Sequence, residues 1–268
     1  SQLVDTTDAN GDASAIWTLG ATLGAQAVSA TVPGVTGGSV SVPATGVVGS
    51  AKKLAFLVQP TNVQAGVAIA PAVQVTALDT FGNTVANFTG NVTVVIGANP
   101  GASTLGGTTT VAAVAGIATF STLTLNNLGT AYTLTASATG LTGATSTTFD
   151  VSGGVPAQLT IVQQPSNTSG GVAITPAITV EIRDALNNLV PTATNTVTVA
   201  IGSNPSAGAL SGTQSVAAVG GVATFNTLSI NNAGAAYTLV FSSAGLTAAT
   251  SATFDITAGP ATVLGFTT

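Results

Sequence analysis

The sequence predicts an all-β chain of tandem antiparallel β-sandwich domains, and three observations predict it. The stretch from Leu54 to Val151 returns almost position for position: Pro60 recurs as Pro165, Asp79 as Asp184, Tyr132 as Tyr237 and Phe149 as Phe254, each pair 105 residues apart. Hydrophobicity alternates with period two, so that Ile178, Val180 and Ile182 share one face of a strand while Thr179, Glu181 and Arg183 share the other. Turn-forming clusters such as Asp79-Thr-Phe-Gly-Asn83, Asn99-Pro-Gly101, Gly106-Gly107 and Asn126-Asn-Leu-Gly129 interrupt the chain every few residues. No segment carries a helical stripe, and the density of Gly, Thr and Val opposes one. A repeat of about one domain length makes an array of similar modules the starting expectation.

Residues 1–50 read as the C-terminal part of a diverged repeat. Gly11-Asp-Ala13 stands 105 before Gly116-Ile-Ala118, Gly24 stands 105 before Gly129, and Val32-Pro-Gly-Val-Thr-Gly37 echoes Ala138-Thr-Gly-Leu-Thr-Gly143 with a slip of one residue. Residues 51–152 and 153–257 are the two full repeats. In the first, strands are expected at Leu54–Val58, around Val73, Val75 and Ala77, and at Val92–Ile96, Thr108–Ala113, Ile117–Phe120, Tyr132–Ser137 and Thr145–Val151. Seven or more short strands in about 100 residues indicate a β-sandwich. Residues 258–268 read as the first strand of a following repeat, because Gly259-Pro-Ala-Thr-Val-Leu264 is similar to Gly154-Val-Pro-Ala-Gln-Leu159. The sequence thus opens and closes in mid-repeat, as a window onto a longer array would. The second reading is an incomplete domain completed by a strand from a neighbouring subunit.

Asn127-Leu-Gly-Thr-Ala-Tyr132 and Asn232-Ala-Gly-Ala-Ala-Tyr237 have the spacing of the corner before the sixth strand of immunoglobulin-like domains, where a Tyr hydroxyl bonds to upstream backbone. Tyr132 and Tyr237 are therefore expected to be structural. With the Leu-x-Phe-x-Val-Gln-Pro opening (Leu54 to Pro60), the Asp-x-x-Gly-Asn turn (Asp79 to Asn83), Gly-x-Ala-Thr-Phe (Gly116 to Phe120), Gly-x-x-Tyr-Thr-Leu (Gly129 to Leu134) and Thr-Phe-Asp-Val (Thr148 to Val151), the chain resembles bacterial immunoglobulin-like repeats of the invasin and intimin type. The resemblance covers essentially the whole sequence. It implies tandem immunoglobulin-like sandwiches in a large surface or extracellular protein. The second repeat departs from the pattern at Asp184-Ala-Leu-Asn-Asn188, where Asn187 replaces the turn Gly and still tolerates positive φ.

Composition narrows the chemistry. Hydrophobic residues make up 45% of the chain and charged residues only 4%, so Thr, Ser, Asn and Gly must form most of the wetted surface. Ordinary domains are about 25% charged, and a weakly charged surface favours association. The only bases are Lys52, Lys53 and Arg183, which disfavours nucleic acid as a partner. There is no Cys, Met or His, so disulfides, thiolate metal sites, Cys nucleophiles and His bases are absent. No catalytic residues and no cofactor are assigned, and no apolar run is long enough to span a bilayer as a helix.

The remaining candidates are few. Asp79 and Asp184 each bring one carboxylate to a turn, and Asp8 with Asp12 brings two, so these are weak Ca²⁺ candidates set against ordinary Asx turns. Glu181 and Arg183 read as a solvated or inter-domain ion pair. Trp17, in the alternating Ala15-Ile-Trp-Thr-Leu19, is expected to fill a core, as are Phe120 and Phe225. Asn87, Asn91 and Asn167 head triplets of the N-glycosylation pattern. Exposed Thr at 133, 135, 145 and 147 could offer a hydroxyl array to glycan or ice, or simply fill solvated strand faces. The function expected is a structural or adhesive repeat region of a bacterial filament, stalk or surface protein, with other copies of itself or host and surface ligands as partners. A glycan- or ice-binding module, or the spacer of a secreted carbohydrate-active enzyme, is the alternative.

Overall fold

The computed structural model describes residues 6–32 and 36–259. A first hairpin pairs β1 (Gly24–Thr31) with β2 (Ser39–Gly46). Twelve strands follow: β3 (Lys53–Val58), β4 (Val63–Gln64), β5 (Val73–Leu78), β6 (Asn91–Ile96), β7 (Leu105–Gly106), β8 (Thr110–Ala112), β9 (Ile117–Phe120), β10 (Thr124–Leu125), β11 (Gly129–Tyr132), β12 (Leu134–Ser137), β13 (Ala144–Thr145) and β14 (Phe149–Ser152). The next twelve, from β15 (Gln158–Gln163) to β26 (Phe254–Thr257), repeat every one of these bounds 105 residues later. Among the described residues there is no helix.

Each repeat is an immunoglobulin-like sandwich. One sheet is the antiparallel β3-β5-β9. The other is β13-β12-β6-β8 and, beyond a break, β11-β14-β4, with β7 and β10 forming a short ribbon. The strand pairings in the first repeat are antiparallel except β4 with β14, where Val63 lies beside Val151 and Gln64 beside Ser152; a single parallel bridge also joins Lys53 to Thr142. Alternation decides which residues go inside. Val73, Val75 and Ala77 of β5 and Ala118 and Phe120 of β9 meet Val92 and Val94 of β6, Leu134 and Ala136 of β12, and Phe149 and Val151 of β14. The second repeat closes its own core around Ile178, Val180, Ile182, Phe225, Leu239, Phe241 and Phe254. Each fully buried Val, Leu, Ile or Phe contributes roughly 1.5–3 kcal/mol by leaving water.

Several strands differ from their expected bounds. The strand expected at Thr108–Ala113 covers only Thr110–Ala112, because the Thr108 N–H turns to Thr122 Oγ1 (2.9 Å). The strand expected at Tyr132–Ser137 begins at Gly129 and breaks at Thr133, beside a bulge in which Ala131 takes φ 64° and donates its N–H to Asp150 Oδ1. Thr145–Val151 breaks at Ser146, whose hydroxyl accepts the Leu134 N–H (2.9 Å) in place of a ladder bond. In each case a side-chain oxygen outcompetes the regular ladder.

Trp17 is not core. It lies outside any strand and is 37% exposed, as its neighbour Ile16 is to a greater degree. The reason is architectural: β1 and β2 form a sheet of two strands, and among the described residues no second layer covers it. The register of that hairpin nevertheless matches the repeats. Gly24 pairs Gly46 and Ala30 pairs Val40, just as Gly129 pairs Val151 and Thr135 pairs Thr145, all four positions displaced by 105. Pro260 to Thr268, expected to be a first strand, lies outside the described residues.

Candidate functional site

A polar structure that recurs in both repeats is the turn after β5. Asp79 as a whole is 2% exposed. Its Oδ1 accepts the N–H groups of Phe81 and Asn83, both at 2.9 Å, while Oδ2 accepts Asn83 Nδ2 at 3.0 Å and the Gly49 N–H at 3.1 Å. Asp184 repeats the arrangement: Oδ1 takes Leu186 N–H (2.9 Å) and Asn188 N–H (2.8 Å), and Oδ2 takes Asn188 Nδ2 (3.1 Å) and Gly154 N–H (3.0 Å). Asn187, at φ 68°, occupies the left-handed position that Gly82 holds at φ 94°, so the substitution leaves the turn intact. Asp8 builds a smaller version, accepting Asn10 N–H (2.8 Å) and Asp12 N–H (3.0 Å).

These donors explain the acidity. The Asn83 side-chain amide, with the backbone N–H groups of Asn83, Gly49 and Phe81 behind it, holds the Asp79 carboxyl at about 2 against its ordinary 3.8, although burial pulls the other way. Burial raises the Asp184 value, and the bonds from Asn188, Gly154 and Leu186 outweigh it, so that carboxyl is lowered too. Backbone bonds from Asp12 and Asn10 lower Asp8. A cation arriving at Asp79 or Asp184 would meet N–H groups where Ca²⁺ needs oxygens. Asp12 is exposed, and no group of three or more His, Cys, Asp or Glu residues able to hold a metal occurs among the described residues.

The bond from Oδ2 reaches out of the turn to the linker, and this makes the turn a component of a joint. Gly49 lies just before the first repeat and Gly154 at the very start of the second, so each connection is tied to the unit it leads into. Gly154 has little room for a side chain, since a Cβ there would come within 3.1 Å of Asp184 Oδ2, and one on Gly153 within 2.9 Å of the Leu189 carbonyl. The tip of the turn meets the preceding unit. Leu186 Cδ1 lies 2.9 Å from where a Cβ on Gly66 would be, and Asn188 donates its second amide hydrogen to the Asn126 carbonyl at 2.8 Å. Upstream, Phe81 and Asn83 border a cleft of about 300 Å³ whose opposite wall is Leu19, Leu23, Thr45 and Val47.

The other predicted residues stay within their own units. Tyr132 and Tyr237 are fully buried and donate their hydroxyls to the carbonyls of Asn127 and Asn232, each at 2.9 Å. Their rings pack on Phe149 and Phe254 at centroid distances of 6.0 and 6.3 Å. Phe120 and Phe225 lie in the two cores. Glu181 and Arg183 pair at 2.7 Å along β17 (Ile178–Arg183), and Arg183 also donates to the Asn187 carbonyl, bracing its own turn. Asn87 and Asn91 are exposed; Asn167 is exposed as well, but its Oδ1 accepts the Asp255 N–H (2.8 Å). Of the Thr face, Thr133 Oγ1 is occupied by the Ala98 N–H and Thr147 Oγ1 by Gln59 Oε1. Thr135 and Thr145 stand opposite each other, and the first of them becomes Val240 in the second repeat. The sequence places joints near Gly49-Ser50-Ala51 and Ser152-Gly153-Gly154 but does not tie the Asp turns to them. The one local sign of that tie was a large apolar residue, Phe81 or Leu186, at the tip of an otherwise polar turn.

No protein-family model matches the chain, and no curated protein matches it. Solved structures do align. A β-glycosidase from Bacteroides vulgatus is 14% identical over 75% of this chain and 24% of its own length, with a TM-score of 0.33. Domains 4–9 of the surface layer protein SbsC are 19% identical over 89% of this chain and 36% of theirs, at 0.31. A glycosyl hydrolase family 2 member from Bacteroides cellulosilyticus is 12% identical over 70% of this chain and 24% of its own, at 0.33. The chain spans between about a quarter and about a third of the length of these structures.

Proposed function

We propose that this chain is a structural and adhesive repeat region of a bacterial extracellular filament, stalk or surface protein, and that it is not an enzyme. One observation carries the reading: two copies of a twelve-strand sandwich at a constant offset of 105, each with a buried Asp holding the linker that leads into it. A linker bonded to its own unit limits swivel between neighbours, as a spacer that sets distance requires. Residues 1–50 are, in this reading, the C-terminal part of a diverged repeat, as the register of β1 with β2 supports. Units stacked end to end would each add about 35–45 Å, from strand rises of about 3.3 Å per residue. Such rods would associate laterally with other copies of themselves, or present their loops to host and surface ligands.

Small-angle scattering and sedimentation test the proposal. An elongated particle whose weight-average mass rises with concentration is expected; a compact, strictly monomeric one would refute it. The rival reading as a glycan- or ice-binding module predicts retention on a glycan array or in growing ice, where the proposal expects none. A carbohydrate-active enzyme spacer would show itself as a catalytic domain in the same reading frame.

A further inference from the structure

The joint between the two repeats has a counterpart that no described residue fills. On the first repeat the docking face holds Gly66 and the Asn126 carbonyl, which the second repeat covers with Leu186 and Asn188, and Asn127 and Leu128 come next in the chain. The equivalent positions on the second repeat are Gly171, Asn231, Asn232 and Ala233. There, Asn231, Asn232 and Ala233 are exposed where Asn126, Asn127 and Leu128 are half-buried, and a Cβ on Gly171 would meet nothing within 4 Å. The backbone itself is the same: Gly66 and Gly171 take φ 78° and 74°, and their N–H groups donate to the carbonyls of Leu125 and Ile230 at 2.7 and 2.8 Å.

We infer that this face of the second repeat is a docking site for the Asp turn of a further unit of the same repeat type, joined in the same chain. The inference rests on the proposed stacking function and specifies how one unit seats on the last. The chemistry required of the occupant is narrow. It must present a large apolar tip, Leu or Phe, over a glycine that leaves room for it, and an Asn side-chain amide to the Asn231 carbonyl. An occupant in the same chain is favoured by the linker. At the observed joint the Gly154 N–H is held by Asp184, and Gly259 follows the last described strand at the matching place, ready for the same bond. That tether supplies the next turn at high effective concentration, so a small contact area suffices.

The test is the full chain with a copy of residues 48–152 inserted after Thr257, which keeps the 105-residue spacing and places a Phe81-Asn83 turn next to Gly171. Hydrogen exchange of residues 229–236, whose sequence occurs once in that protein, reads the contact. The expected result is exchange slowed about tenfold or more relative to the unextended chain. Phe81→Ser in the inserted copy alone should abolish the slowing. In the unextended chain, Leu186→Ser should speed exchange at residues 124–131 by a similar factor without unfolding either core, so the question survives even if the insertion misfolds. Unchanged exchange at 229–236 beside a folded third unit would overturn the inference. Slow exchange in the unextended chain would also overturn it: loss of that protection on dilution would make a second copy the occupant, and loss on removing residues 260–268 would make it the tail. Each of these results leaves the elongated, self-associating reading standing, since that is tested by particle shape and by mass against concentration.

Discussion

Asp79 and Asp184 are the residues on which most hydrogen bonds converge, and their titration gives a test at the scale of single groups. Their folded values lie below the unfolded one, so the stability they contribute is fully present above about pH 4 and is lost as pH falls through the folded values, which for Asp79 is about 2. Urea midpoints should therefore drop between about pH 4 and about pH 2. Asp79→Asn should lower the midpoint at neutral pH and flatten that slope, since its amide would face the Gly49 and Asn83 donors. Thr76 makes the opposite case. It is 4% exposed and its Oγ1 has no partner, so Thr76→Val should stabilise the first repeat by about 1 kcal/mol, read as a higher midpoint at unchanged slope. Tyr237→Phe removes the bond to the Asn232 carbonyl and should cost about 1 kcal/mol.

At the scale of elements, the strands with strict alternation were plain in the sequence: Ile178, Val180 and Ile182 face the core as their spacing requires. So was the Tyr corner, because its partners lie five residues away. What alternation cannot report is a ladder that a side chain interrupts. The bulges at Ala131 and Ala236, with φ 64° and 65°, depend on Asp150 and Asp255, nineteen residues downstream, and nothing local announces them. Left-handed backbone costs a non-glycine residue roughly 1–2 kcal/mol, so Ala236→Gly should be neutral or stabilising by up to about 1 kcal/mol once the added freedom of the unfolded chain is counted. Calorimetry on the single variant checks it. Trp17 failed as a core prediction for a related reason: its alternation suits a strand, but burial needs a second layer that the hairpin does not have.

At the scale of the whole molecule, the scarcity of charge sets the form of any association. Contacts between copies would rest on apolar and backbone groups at strand edges, so their strength should be insensitive to sodium chloride and rise with ammonium sulfate. Sedimentation across the two salts checks this; a marked loss of association in sodium chloride would point to ion pairs that this composition scarcely allows. The parallel pairing of β4 with β14 has a mechanical consequence. Near the start of each unit Val63 and Gln64 lie alongside Val151 and Ser152 at its end, with the Ala65 N–H on the Ser152 carbonyl at 2.9 Å. Tension drawn through the chain pulls these two segments past each other, loading their bonds together in shear, where an antiparallel hairpin pulled at its open end would unzip bond by bond. Stretched as single molecules, the two units should yield separately and abruptly, each releasing about 35 nm of chain at about 3.5 Å per residue.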